Sequence, residues 1–387
     1  MSHRDIADPR MQLAELHTQL IAWLVNEAYP RWAQYGIDPQ NGGFIEALGQ
    51  NGLGLPHPRR ARVHPRQVYA FAQAQALGWH GDVKGIVSRG MEYFTAHYRR
   101  NDGLFRTLAA ADGTALDERA LLYDQAFALL GLAASATALD ARGEFEGRAV
   151  ALRGAIESRF GTADGSLCSE DGADAVRESN PHMHLLEACL AWAEIGNDAG
   201  WTAWVPRLAE LAVSHFIRKD SGALGESYTA AWQPTPGLPG RIIEPGHQFE
   251  WAWLLLRCEP LYPSPLRETA LRLLDIGDRH GVRNGVAVNQ LLDDFTVSDA
   301  TARFWPQTER LKSSLLAATL TGEPRYWSIA HEAAASFFPY LQTSVPGLWF
   351  DLQRPDGTFI DSPAPASTFY HLVGAIVALD TVLRSSR

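Results

Sequence analysis

The chain has 387 residues, 46% hydrophobic and 20% charged, with a formal net charge of −10. That composition builds a globular protein with a large core. The acidic balance, with no Lys/Arg run, excludes a nucleic-acid groove.

The predicted elements follow one another in a regular order. An amphipathic helix, MQLAELHTQLIAWLVNEAY, leads to a turn NGGF at Asn41, and a buried helix RQVYAFAQAQALG comes next. DVKGIVSRGMEYFTAHY, the turn DGLF at Asp102 and LLYDQAFALLGLAASATA repeat the plan. It recurs as DGSL (Asp164) before HMHLLEACLAWAEIG, SGAL (Ser221) before HQFEWAWLLL, and NGVA (Asn284) before ERLKSSLLAATLTG. RYWSIAHEAAASFFPYL, PGLW (Pro346) and STFYHLVGAIVAL complete it. The first glycines of the turns, Gly42, Gly103, Gly165, Gly222, Gly285 and Gly347, are 61, 62, 57, 63 and 62 residues apart. A fixed period is the mark of a repeat architecture. The helix before each turn is amphipathic, and the one after it is apolar nearly all round, hence buried. Six helix–turn–helix units therefore predict an all-α, twelve-helix (α/α)6 barrel as one domain, 1–387, with an open α-solenoid as the alternative.

No stretch approaches eighteen uninterrupted apolar residues, so no membrane span is expected. The N-terminus MSHRDIADPRMQLAEL lacks a signal-peptide core. Cys168, Cys189 and Cys258 fit neither a zinc pattern nor a disulfide framework. A cytoplasmic protein follows from these readings, monomeric or homodimeric.

Polar residues on buried helices carry the functional signal. Arg66, Tyr123, His184, His247, Glu309 and His371 all fall near the starts of the buried helices, which in a barrel share one rim. Singly, each has a bland reading as a hydrogen-bonded core residue, and Tyr123 and Trp305 as core aromatics. NPHMHLLEA places His184 and Glu187 on one helix face, and EPGHQFEW does the same for His247 and Glu250. A carboxylate beside an imidazole fixes its tautomer and raises its basicity, as proton transfer requires. His182 and His184 are two apart and diverge on a helix, so they do not chelate, and no HExxH, Cys cluster, P-loop or GxGxxG is present. No metal or cofactor is expected. Histidines on the rim suit proton abstraction beside a carbonyl better than the paired carboxylates of a glycoside hydrolase.

RQVYAF at Arg66, YDQAF at Tyr123, NPHMHLLEA at Asn180, EPGHQFEW at Glu244, FWPQTE at Phe304 and STFYHL at Ser367 occur in order along nearly the whole chain. On these motifs the sequence resembles the N-acylglucosamine 2-epimerase family, which includes mannose isomerases and cellobiose 2-epimerases. The resemblance implies an (α/α)6 barrel and a small sugar as substrate. It implies His247 and His371 as the catalytic histidines and His184 as a third site histidine. Arg66 would bind sugar oxygens near the reacting carbon, and Glu250 and Glu309 would orient histidines or hold hydroxyls. Tyr123, Asn180 and Trp305 would be pocket contacts. The usual Trp-Trp pair is Phe304-Trp305 here, which leaves the first position without an assigned role. HMHLLEA and STFYHL favour mannose–fructose isomerisation through a cis-enediol. The alternatives are an N-acylglucosamine or other sugar 2-epimerase and, more remotely, a glycoside hydrolase or a non-catalytic binding member.

Overall fold

The computed structural model describes residues 9–170, 176–262 and 266–385. The polar stretch at 1–8 lies outside them. Six helices form an inner ring: Val63–Ala72, Leu122–Ala138, Ser179–Ile195, Pro245–Cys258, Trp305–Thr321 and Ala366–Ser385. Each packs on the next, and the last packs on the first, so the ring closes. The solenoid alternative is thereby set aside. Six outer segments alternate with them: 9–35, Val83–Tyr98, Arg142–Phe160, 199–216, Leu266–Gly281 and 324–341.

Three outer segments are not continuous α-helices, which the sequence pattern does not foretell. A π-helical turn, Leu24–Ala28, interrupts the first just ahead of Pro30, another, Ala212–Phe216, ends the fourth, and the sixth is divided at Ser336. Proline lacks the N–H that continues an α ladder, so in the first segment the ladder re-registers beside Pro30. The first inner helix also stops early, at Ala72, although its apolar pattern runs on to Gly78.

All six turn glycines have φ between 75° and 86°. A side chain is strained in that region, so the turns require glycine. Two residues after a turn glycine, the backbone is gripped by an inner-helix side chain. The amide of Gln125 donates to the carbonyl and accepts from the N–H of Phe105, both at 2.8 Å. Gln248 grips Leu224 and Gln307 grips Ala287 in the same way. Four residues after the glycines stand Glu46, Thr107, Ser169, Glu226, Asn289 and Asp351, a polar residue in every repeat.

Short antiparallel strands stitch the repeats together on the side where the inner helices start. Residues just ahead of an inner helix pair with the hairpin of the next repeat: Arg59–Arg60 with Leu108–Ala109, Arg177–Glu178 with Ser227–Tyr228, and Ala302–Arg303 with Leu352–Gln353. Ala364–Pro365 pairs with Ala47–Leu48 and closes the circle. The same seam is filled by Trp32, Trp349 and Phe369, stacked with centroids 5.0–5.8 Å apart. Ala366–Ser385 is long and apolar enough, by composition, to cross a membrane, but it is an inner-ring helix, with 61% of its most apolar window buried.

Candidate active site

The inner-helix starts converge on a cavity of about 340 Å³. Arg66, Tyr123, Asn180, His184, His247, Glu250, Trp305 and His371 all line it, and Glu309 lies directly beneath His371. The nine residues singled out in the sequence are thus brought together. Phe304 is not among them: it is fully buried and stacks on Tyr340 at 4.6 Å.

Trp305 stands between two histidines, its ring centroid 5.2 Å from that of His247 and 5.4 Å from that of His371. Gly246 permits this approach, since a Cβ there would lie 2.4 Å from the indole. That is the physical reason for the glycine in EPGHQFEW.

The two histidines sit in opposite electrostatic settings. Nδ1 of His247 is 2.9 Å from Glu226 Oε2 and 3.9 Å from Glu244 Oε2. Burial opposes its charge, but the two carboxylates outweigh burial and lift the imidazole to about 10. Glu226 is itself fixed by Ser179 Oγ at 2.9 Å and by the Glu244 N–H at 3.2 Å. His371 places Nδ1 2.8 Å from Glu309 Oε1. Here burial prevails, helped by Arg66 and Lys312, and the imidazole is held below its ordinary value. His184 meets Glu187 at 3.1 Å and is also held neutral, pushed down to about 3 mainly by burial.

One pairing expected from the sequence is corrected. Glu250 makes no hydrogen bond to His247: it points inward, 3.7 Å from His184 Nδ1, and both its oxygens are buried without a partner. Burial and then the nearby Glu309 carboxylate push it well above the carboxylate range. An i,i+3 spacing puts two residues on one face but does not decide which neighbour each side chain turns to. The carboxylate that holds His247 is Glu226, a loop residue that helix-face reasoning passes over. Its signal was the polar residue four positions after each turn glycine.

Arg66 donates to the Tyr123 hydroxyl at 2.6 Å and lies 3.9 Å from the centroid of Phe127. Arg303, 3.5 Å from Glu244, and Asp351, bonded to Thr368 Oγ1 at 2.9 Å, are further lining residues that the sequence reading missed. For a metal, the candidate donors are His184, Glu187 and Glu250, or Glu250, Glu309 and His371, each set with ligand atoms within 4.8 Å of one another. In both sets the histidine Nδ1 is already engaged by a carboxylate. His182, buried, bonds the Glu178 carbonyl at 2.7 Å and takes no part.

The arrangement is one charged and one neutral imidazole flanking an indole, over an arginine. It can donate a proton at one point, accept one at another, and stabilise an oxyanion between them. Comparison with known proteins gives the family. Residues 42–375 match the model of the N-acylglucosamine 2-epimerase (GlcNAc 2-epimerase) family. A protein of Rhizobium meliloti (strain 1021) named mannose-6-phosphate isomerase is 44% identical over 382 residues, 96% of this chain and 99% of that one. The cellobiose 2-epimerase of Spirochaeta thermophila DSM 6192 superposes with a TM-score of 0.87 at 22% identity, covering 98% of this chain and 99% of that one. A D-mannose isomerase structure gives 0.84 at 21%, covering 98% and 100%. Both share the barrel. The chain is a sugar-isomerising enzyme and belongs to the N-acylglucosamine 2-epimerase family.

Proposed function

We propose that the protein interconverts mannose-type aldoses with their ketoses through a cis-enediol. The observation that carries this reading is the contrast on either side of Trp305: His247 Nδ1 faces Glu226 and Glu244, whereas His371 Nδ1 faces Glu309, which Lys312 pairs. His247, protonated, gives its proton to the ring oxygen as the bond from carbon 1 to that oxygen breaks, and the anomeric hydroxyl loses its proton to solvent, which leaves the open aldehyde. His371, neutral, uses its free ring nitrogen to take the proton from carbon 2. The C2–H electron pair becomes the C1–C2 double bond, and the carbonyl oxygen on carbon 1 gains charge beside Arg66. The proton of the carbon-2 hydroxyl then passes to the oxygen on carbon 1, and His371 returns a proton, exchangeable with solvent while it is held, to carbon 1; carbon 2 becomes the carbonyl of the ketose, and one base on one face is enough. His184, neutral, and Asn180, whose side-chain oxygen is buried without a partner, hold sugar hydroxyls. Glu309 orients His371, and Tyr123 orients Arg66. A cytoplasmic location is part of this proposal, and the three free cysteines support it.

A second reading adds a phosphate at the far end of the sugar. It is favoured by an adjoining hollow of about 490 Å³ lined by Arg60, Arg62, Arg66 and Arg119. The experiment is one panel: mannose, mannose 6-phosphate, N-acetylmannosamine and cellobiose, each incubated in deuterated water and followed by NMR. Fructose or its phosphate, with deuterium entering the sugar, supports the isomerase. Turnover of N-acetylmannosamine or cellobiose alone makes the protein a 2-epimerase and sinks the reading.

A further inference from the structure

Beneath His184 and His371, three glutamates crowd into the ring: Glu187, Glu250 and Glu309, from the third, fourth and fifth inner helices, all buried. One ammonium among the described residues stands in their midst. Lys312 lies one helical turn after Glu309, its side chain 2% exposed, with Nζ 2.7 Å from Glu309 Oε2 and 3.6 Å from the centroid of Trp253. Its stem borders a second cavity at the other end of the barrel, about 530 Å³, lined by Tyr69, Trp253, Leu315 and Leu316 among others. Glu187, Glu194 and Arg257 also border it. Buried ion pairs are rarely worth more to stability than well-packed apolar residues. The ammonium therefore calls for an explanation other than packing.

We infer that Lys312 is a positioning residue for the base. It keeps Glu309 ionised, so that Glu309 Oε1 accepts the Nδ1 proton of His371 and leaves the other ring nitrogen bare towards the pocket. The geometry is a chain: Lys312 Nζ to Glu309 Oε2 at 2.7 Å, then Glu309 Oε1 to His371 Nδ1 at 2.8 Å. The groups around His371 complete the account. Glu309 and Lys312 come from the fifth inner helix, Arg66 from the first, His184 and Glu187 from the third, Glu250 from the fourth, and Tyr370 is its neighbour in the chain. Tyr370 donates to Glu187 and so belongs to the other carboxylate's network. Burial pushes Glu309 towards its neutral form, and Lys312 is the foremost influence that reverses this. Without the ammonium, Glu187 and Glu309 are left uncompensated and the cluster takes up a proton. On Glu309 that proton removes the acceptor for Nδ1. On His371 it removes the base.

The test compares wild type, Lys312→Met and Lys312→Arg. Nitrogen NMR of the folded, sugar-free proteins reads the His371 tautomer, and the pH profile of kcat on the aldose reads the base. The wild type is expected to hold His371 with its proton on Nδ1. Lys312→Met is expected to lose that form and to shift the acid limb of kcat upward. On that limb kcat falls at least about tenfold, the loss that a one-unit displacement gives, with KM less affected. Lys312→Arg restores the limb. A folded Lys312→Met with an unmoved limb and unchanged tautomer overturns the inference. So does a wild-type His371 protonated on Nε2, which decides the matter even if the Met variant does not fold. The kinetic arm rests on the isomerase reading, whereas the tautomer needs no turnover. A wild type inactive on every sugar therefore counts against that reading alone.

Discussion

His247 and His371 flank the same indole and use the same device, an Nδ1 held by a glutamate, yet they end in opposite states. The difference lies one step beyond the partner. Glu226 has Glu244 as a neighbour, so His247 faces two carboxylates. Glu309 has Lys312 as a neighbour, so its charge is spent before it reaches His371. In a water-poor interior a carboxylate raises an imidazole only as far as its own charge is uncompensated. Environments that push two like groups apart assign the acid and the base.

The strongest way to break this comparison is to remove either ring. His371→Ala is expected to lower turnover by about 10²–10⁴-fold, as deleting a positioned general base does. His247→Ala should do so to a similar extent with cyclic sugar, and carbon-2 exchange followed by NMR in deuterated water checks both. Undiminished exchange in both variants removes the histidines from the mechanism.

The next test exchanges the two settings. With His247 at about 10, the wild type should keep its acid protonated well above neutrality, and kcat/KM should fall only near pH 10. Glu226→Gln should bring that alkaline limb down by more than one unit, while Glu309→Gln should disturb the acid side. A pH profile of each variant separates them, and the same limb moving in both would refute the assignment.

Stability sharpens the comparison further. Burial depresses His64 to about 3, His182 to about 4 and His184 to about 3. Their folded-state values lie below the unfolded value near 6.5, so the stability they lend is whole above that pH and lost as pH falls towards the folded values. His247 is raised instead, so its contribution is whole below about 6.5 and lost as pH rises through about 10. Urea midpoints at pH 8, 6 and 4 should therefore decline on the acid side. A midpoint that rises between pH 6 and pH 4 would contradict the buried neutral histidines, whereas between pH 8 and 6 His247 works in the opposite sense.

The smallest effect concerns the frame that carries both rings. Gln248→Ala leaves the buried N–H and carbonyl of Leu224 unpaired and should cost about 1–3 kcal/mol, read as a lower urea midpoint. Gln125→Ala, at the equivalent place in the second repeat, should match it.

The sequence by itself determined the period, the two rings of helices and the membership of the rim. These are local properties. A positive-φ turn demands glycine wherever it occurs, and a buried helix is apolar around its circumference, so Gly42 and Gly347 can be read without knowing that their repeats meet. His184 with Glu187 was legible for the same reason, because one helix turn carries both. The partner of His247 was not, because Glu226 sits on a loop and competes with Glu250 for a ring whose direction depends on Trp305, from another helix. The charge on Glu250, the ion pair of Lys312 and the opposite states of the two histidines were decided only by the tertiary structure. Each is a sum of charges brought from different inner helices into a space with little water, and such a sum depends on distances that no spacing along the chain contains.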